Sequence, residues 1–158
     1  MQRHIRFDWA IKKLLRSKAN FGILEGFLSE LLDDDITIIQ ILESESNLDD
    51  PTDKLTRVDV LVEDANHRLI IIEIQNTTEL DYLQRILYYS SRAITDHIQR
   101  GDAYEKVKKI ITVSIVYFDL GQGDDYIYKG NTTFYGRHKN DVLQLSKQQK
   151  ELLKRDCS

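Results

Sequence analysis

The reading of this chain turns on Arg57-Val58-Asp59-Val60-Leu61-Val62 and Leu69-Ile70-Ile71-Ile72-Glu73-Ile74-Gln75. Both runs are rich in β-branched residues, and they flank Asp64-Ala65-Asn66-His67-Arg68, which has the composition of a hairpin loop. If the hairpin is centred on Asn66, residues equidistant from it face one another, and Asp59 and Glu73 are such a pair. Directly opposed antiparallel neighbours have Cβ atoms about 4.5–5.5 Å apart, and like charges so placed destabilise a sheet. Two carboxylates on an otherwise apolar hairpin therefore call for compensation, for which a divalent cation is the natural candidate.

Alternation along the strand places Glu73 and Gln75 on one face with Leu69 and Ile71, and Ile70, Ile72 and Ile74 on the other. A run apolar up to a single glutamate reads as a strand buried on both faces, where a carboxylate is paired or metal-bound. The competing reading puts Glu73 at an exposed strand end, partnered by Arg57 or Arg85. A register slip of one residue would move Asp59 to the wrong face.

A chain of 158 residues and 18.5 kDa, 41% hydrophobic and 30% charged, is long enough for one domain with a real core. The single cysteine, Cys157, excludes a disulfide framework within one chain and favours a reducing cytoplasm. No apolar run approaches membrane-spanning length, so no membrane association is expected. The net charge of −4 is unevenly spread: residues 1–20 carry six Lys/Arg against one Asp, residues 25–64 carry thirteen Asp/Glu against two Lys/Arg, and residues 129–158 carry seven Lys/Arg against three Asp/Glu. Basic ends around an acidic middle suit a site that gathers cations between flanks that hold phosphates. They suit an ordinary solvated surface almost as well.

Residues 7–32 read as helix, with a break near Ser17–Asn20. Ile36–Leu42 reads as a first strand, and the polar stretch 43–56 with Pro51 leads into the hairpin. Residues 79–100 form the best helix, with Leu80, Leu83, Ile86, Leu87, Ser90, Ile94 and Ile98 along its core face and Gly101 as its stop. Ile110–Phe118 is a continuous apolar strand expected at the centre of the sheet, and residues 126–135 could add an edge strand. The order helix, three strands, helix, strand predicts an α/β fold with a mixed sheet flanked by helices. Residues 1–145 make the expected domain, and 146–158 a charged C-terminal segment that reads as cut short.

An Asp, a hairpin and then Glu-x-Lys or a variant is the signature of the PD-(D/E)XK nuclease superfamily, which this chain resembles. Closer still, RVDVLVEDANHRLIIIEIQN (57–76) followed by YLQRILYYSSRAITDHIQRGDAYEKVKKIITVSIVYFDL (82–120) is similar to the bacterial recombination-promoting nuclease and transposase family. The opening FDWAIKKLLRSKANFGILEGFLSELLDDDITIIQILESE (7–45) resembles that family's first helix and strand, so the resemblance covers roughly residues 7–145. It implies a restriction-endonuclease-like core, DNA as partner, hydrolysis of phosphodiesters dependent on Mg²⁺ or Mn²⁺, and no small-molecule cofactor. Restriction-like nucleases often dimerise to cut both strands, so a homodimer is an option that the sequence does not decide.

By the same resemblance Asp59 and Glu73 would be metal ligands, with the main-chain carbonyl of Ile74 as a third. Asp59, Glu73 and Gln75 would form the catalytic set. Mg²⁺ suits such hard oxygen donors and usually keeps several waters. The family's third motif position usually holds lysine. Here it is Gln75, which can orient a water but carries no charge and cannot titrate. Weaker catalysis, or a catalytically silent nucleic-acid-binding module, is therefore the alternative; a nuclease acting on RNA is another. Arg85 could contact a phosphate or hold Glu73, and Lys12, Lys13 and Arg16 could meet a nucleic-acid backbone. Tyr82, Tyr88 and Tyr89 read first as core residues with wet hydroxyls and second as base-stacking groups. Glu25, Glu43 and Glu45 are weaker candidates for extra ligands. His4, His67, His97 and His138 show no ligand spacing.

Overall fold

The computed structural model describes residues 21–44 and 58–149, with Glu43 and Ser44 described by backbone alone. At its centre is the hairpin of β2 (Val60–Asp64) and β3 (Leu69–Gln75). Val60 pairs with Ile72, Leu61 with Ile71, Val62 with Ile70 and Glu63 with Leu69, the register predicted from a centre at Asn66. The turn explains that register. Asp64 accepts the His67 amide at 2.9 Å and donates its own to the Arg68 carbonyl at 3.1 Å, while His67 takes a left-handed φ of 60°. This is a three-residue hairpin loop with a left-handed residue closing it. Asp64 is fully buried, and its carboxylate takes the amides of Asn66 (3.0 Å) and Arg68 (2.8 Å) and the Arg68 Nε (2.6 Å). Arg68 also reaches Asp34, which ties the turn to the chain before β1. Removing one partner from so buried a set would strand the opposite charge.

β1 (Ile38–Ser44) lies antiparallel beside β2, with register shifts between Ile38 and Gln40 and between Ile41 and Glu43. β4 (Ile110–Val116) lies parallel to β3, so the sheet runs β1-β2-β3-β4 and is mixed. The apolar run 110–118 does not make the central strand that its composition suggests. Among the described strands β4 stands at the end of the sheet, and most of it is only half-buried. β2 and β3 fill the middle, and both are buried almost throughout. A crossover through a helix returns the chain beside β3, and that is where a parallel partner must land.

The two faces carry separate cores. α1 (Phe21–Leu32) sets Leu24 and Leu28 against Val60, Val62, Ile70, Ile72 and Ile74. α2 (Tyr82–Asp96) sets Tyr89 and Ala93 against Leu61, Leu69 and Ile71 on the opposite face. The alternation predicted for β3 is therefore observed, and Glu73 and Gln75 project to the α2 side. α2 itself is rotated from expectation. Its buried residues are Tyr82, Tyr89 and Ala93, whereas Leu80, Leu83 and Leu87 are exposed. The helix is also shorter than 79–100. His97 Nδ1 lies 2.8 Å from the Ala93 carbonyl and its amide bonds Ile94, closing the helix at Asp96. Gly101, with φ of 94°, sits in the turn that follows. A 3₁₀ turn at Tyr104–Lys106 leads into β4. Residues 126–135 form no strand; an isolated antiparallel bridge joins Tyr135 to Val142 instead.

Candidate active site

The ladder between β2 and β3 ends at Val60 and Ile72, and the backbone bends at Asp59. Side chains replace the next rung. Asp59 Oδ2 accepts the Ile74 amide at 2.7 Å, and Glu73 Oε1 accepts the Asp59 amide at 3.2 Å. The two carboxylates are thus brought together across the hairpin, each gripping the opposite strand. Both residues are buried, 7% exposed for Asp59 and 4% for Glu73, so an exposed strand end is not where Glu73 lies. The Ile74 N–H points to the β2 side, and the carbonyl of the same residue points the same way in a strand. That carbonyl therefore lies on the same side of β3 as the Asp59 carboxylate that takes the amide.

Arg85, on the first turns of α2, comes down over this corner. Its Nη2 lies 3.6 Å from Glu73 Oε2 and donates to Gln75 Oε1 at 3.2 Å. Its Nη1 holds both oxygens of Glu79, at 2.8 and 2.7 Å. The guanidinium also lies 5.1 Å from the Tyr82 ring centre and 5.7 Å from that of Tyr89, within cation–π range. Gln75 completes the circuit, donating its amide to Glu79 Oε1 at 2.7 Å and to the Thr77 carbonyl at 3.2 Å. Glu79 escaped the sequence reading. Its only signal was a spacing of four from Gln75 and six to Arg85, across a break between strand and helix.

Beneath the arginine, Tyr82 is fully buried and packs edge-on against Phe118, with ring centres 5.8 Å apart. Burial raises its hydroxyl above the ordinary phenol range, and the neighbouring Ser114 hydroxyl pulls the other way. Neither Tyr82 Oη nor Ser114 Oγ completes a hydrogen bond of proper geometry. Ser114 is the β4 partner of Glu73, so these hydroxyls sit at the acidic corner. Burial likewise raises the Tyr89 hydroxyl. Of the three tyrosines, Tyr82 and Tyr89 are core residues and Tyr88 is half exposed.

A second acidic centre lies at the other end of the hairpin. Burial pushes the Glu63 carboxyl upward, but Lys108 Nζ (2.6 Å), His67 Nδ1 (2.9 Å) and Gln40 Nε2 (2.7 Å) overcome it and hold it at about 2. His67 is thus a partner of Glu63. Glu25 accepts the Ile38 amide at 2.7 Å. Ile38 faces Asp64, so this carboxylate stands about 17 Å along β2 from Asp59, at about 3.3 Å per residue. It ties α1 to β1 and is not brought to the acidic pair. His97 caps α2. Lys12, Lys13, Arg16, His4, Glu45 and Arg57, and the Glu43 side chain, lie outside the described residues.

Among the described residues no three His, Cys, Asp or Glu side chains converge as a metal cluster. The donors at the hairpin end are two carboxylates and a carbonyl, a set that fits Mg²⁺, which takes one or two carboxylates and fills its octahedron with water and phosphate oxygens. Among the described residues Arg85 is shared by Glu73 and Glu79 at this corner. No described helix is long and apolar enough to cross a membrane.

A mixed four-stranded sheet with a helix on each face, and a carboxylate pair where its central hairpin frays, defines an α/β protein of the restriction-endonuclease-like class. The chain belongs to the PD-(D/E)XK nuclease family transposases, whose family model matches residues 5–150. No curated protein and no solved structure matches it.

Proposed function

We propose that the chain is a divalent-metal-dependent DNA endonuclease acting in recombination or transposition. The observation that carries this reading is the Asp59–Glu73 pair, buried and interlocked at the end of the β2–β3 ladder. Asp59, Glu73 and the Ile74 carbonyl would hold Mg²⁺ or Mn²⁺. Such an ion supplies charge neutralisation and an activated water in phosphodiester hydrolysis. The remaining work falls to the chain. Gln75 orients the nucleophilic water through its amide, and Arg85 keeps Gln75 and Glu73 in place while offering a positive charge to the phosphate. Lys12, Lys13 and Arg16 would add backbone contacts. One domain over residues 1–145, a cytoplasmic setting suited to a single cysteine, and a homodimer for cutting both strands complete the reading.

A non-catalytic binding module is the second reading, favoured by Gln75, whose amide is engaged on both sides by Glu79 and Arg85. Nicking of supercoiled plasmid separates the two. Wild type should nick with Mg²⁺ or Mn²⁺ and not with chelator. Asp59→Asn and Glu73→Gln, which keep an acceptor oxygen for the strand amides, should stay folded by circular dichroism yet lose at least about a hundredfold in rate. A folded wild type that nicks with neither metal sinks the nuclease reading.

A further inference from the structure

Beyond β4 the chain leaves the acidic corner as an arm with an unusual surface. The Tyr117 amide bonds the Gln75 carbonyl at 3.0 Å and Phe118 packs on Tyr82, so the arm is rooted on the site itself. Farther out, Tyr126 is 102% exposed, Tyr128 67%, Phe134 65% and Tyr135 63%. Between Tyr126 and Asn140 the chain carries Lys129, Arg137 and Lys139 and not one carboxylate, in a protein whose net charge is −4. Asp124, Asp125 and Asp141 bracket this window, and Asp125 is turned back onto the amides of Tyr126 and Ile127.

The arm has a defined shape. Tyr128 Oη accepts the Asp125 amide at 2.9 Å and packs over the bare Cα of Gly123. Residues 134–143 form a short hairpin. Leu143 donates to the Phe134 carbonyl at 2.9 Å, Gly136 to Asp141 at 2.7 Å and Asn140 to Gly136 at 2.8 Å. The hairpin carries Arg137, His138 and Lys139 at its tip, with Phe134 and Tyr135 beside them. Four exposed aromatic rings within ten residues are a concentration that suits an interaction surface. The charge identifies the partner, because cations without carboxylates select a polyanion. Open aromatic faces among them suit unpaired bases, which stack on rings irrespective of sequence, whereas the bases of a duplex are already stacked.

We infer that the 126–140 arm binds an unpaired stretch of DNA strand leading into the acidic corner, with bases on Tyr126, Phe134 and Tyr135 and phosphates on Lys129, Arg137 and Lys139. The inference rests on the nuclease reading only for the choice of DNA as polyanion. It is tested in chelator, where no cleavage interferes, by fluorescence anisotropy with a labelled single strand and with the duplex of the same sequence. Wild type should bind the single strand at least about tenfold more tightly than the duplex. Replacing Tyr126, Phe134 and Tyr135 together by alanine should weaken single-strand binding at least about tenfold with an unchanged circular dichroism spectrum. Tyr126→Phe with Tyr135→Phe should bind as wild type, because stacking needs the ring and not the hydroxyl.

Undiminished binding by the triple alanine variant overturns the inference, as does equal or tighter binding of duplex by wild type. A wild-type dimer that the triple alanine variant converts to monomer in sedimentation also overturns it, by assigning the aromatic surface to a second copy. A chain that nicks plasmid without arm-dependent binding loses this inference alone. One that binds through the arm but never nicks loses the nuclease reading alone.

Discussion

Gln75 accepts Arg85 Nη2 on its amide oxygen at 3.2 Å and gives its amide nitrogen to Glu79 at 2.7 Å. The position that relatives usually fill with lysine is therefore occupied by a neutral side chain with a cation on one side and an anion on the other. If Arg85 supplies the charge that lysine would bring, Gln75→Lys should change the nicking rate by less than about tenfold, and Glu79 should take the new ammonium at a stability cost under about 1 kcal/mol. A gain of a hundredfold would show that Arg85 does not substitute for the lysine.

Arg85→Ala takes from Glu73 and Glu79 the cation they share and removes a guanidinium that lies over two tyrosine rings. Breaking a buried pair costs about 3–5 kcal/mol; with the arginine side chain 25% exposed, a loss of roughly 2 kcal/mol is expected. Millimolar Mg²⁺ should then raise the Tm of the variant more than that of wild type, because a ligand that binds the folded state stabilises it by mass action. Equal Tm values with and without metal, in both proteins, would contradict a cation site here.

Glu63 sets a pH dependence remote from the acidic pair. Its folded carboxyl sits at about 2 against 4.5 ordinarily, so the stabilisation is fully present above pH 4.5 and is lost as pH falls toward 2. At about 1.4 kcal/mol for each tenfold in proton affinity, the loss is at most about 3–4 kcal/mol. Asp34, lowered chiefly by its hydrogen bond from Arg68, acts in the same direction. Denaturant titrations of wild type and Glu63→Gln across that window should converge as the pH falls. Parallel curves would mean that the carboxylate contributes nothing.

Tyr82→Phe deletes a buried hydroxyl that completes no hydrogen bond. The variant should match wild type or exceed it by about 1 kcal/mol, since an unsatisfied buried polar group costs stability. A loss of more than about 1 kcal/mol in chemical denaturation would reveal a partner for the hydroxyl, with Ser114 as the first place to look.

The hairpin was legible because its two signals agree. A symmetric loop centred on Asn66 and a two-residue alternation both place Asp59 opposite Glu73, and the turn hydrogen bonds of Asp64 enforce that register. The orientation of α2 was not legible. The stripe Leu80-Leu83-Leu87 and the stripe Tyr82-Tyr89-Ala93 both repeat at helical spacing, and hydropathy favours the leucines. The tyrosine stripe is buried instead, and that rotation is what lets Arg85 reach Glu73 and Gln75. Nor does a strand's composition fix its place in a sheet: Ile110–Val116 reads as central and stands at the edge of the described strands, because position depends on where the crossover lands. Glu79 could be found only once a strand end and a helix start were known to meet.

Asp59 and Ile74 hold together the last step of the central hairpin through one carboxylate oxygen and one amide. A cation held by Asp59 would draw electron density from the oxygen that accepts the Ile74 amide, so loading the site would be coupled to a weakening of this last step of the sheet. The Ile74 amide is then a built-in reporter: its hydrogen exchange should quicken as the cation binds, even while the rest of the sheet becomes harder to open.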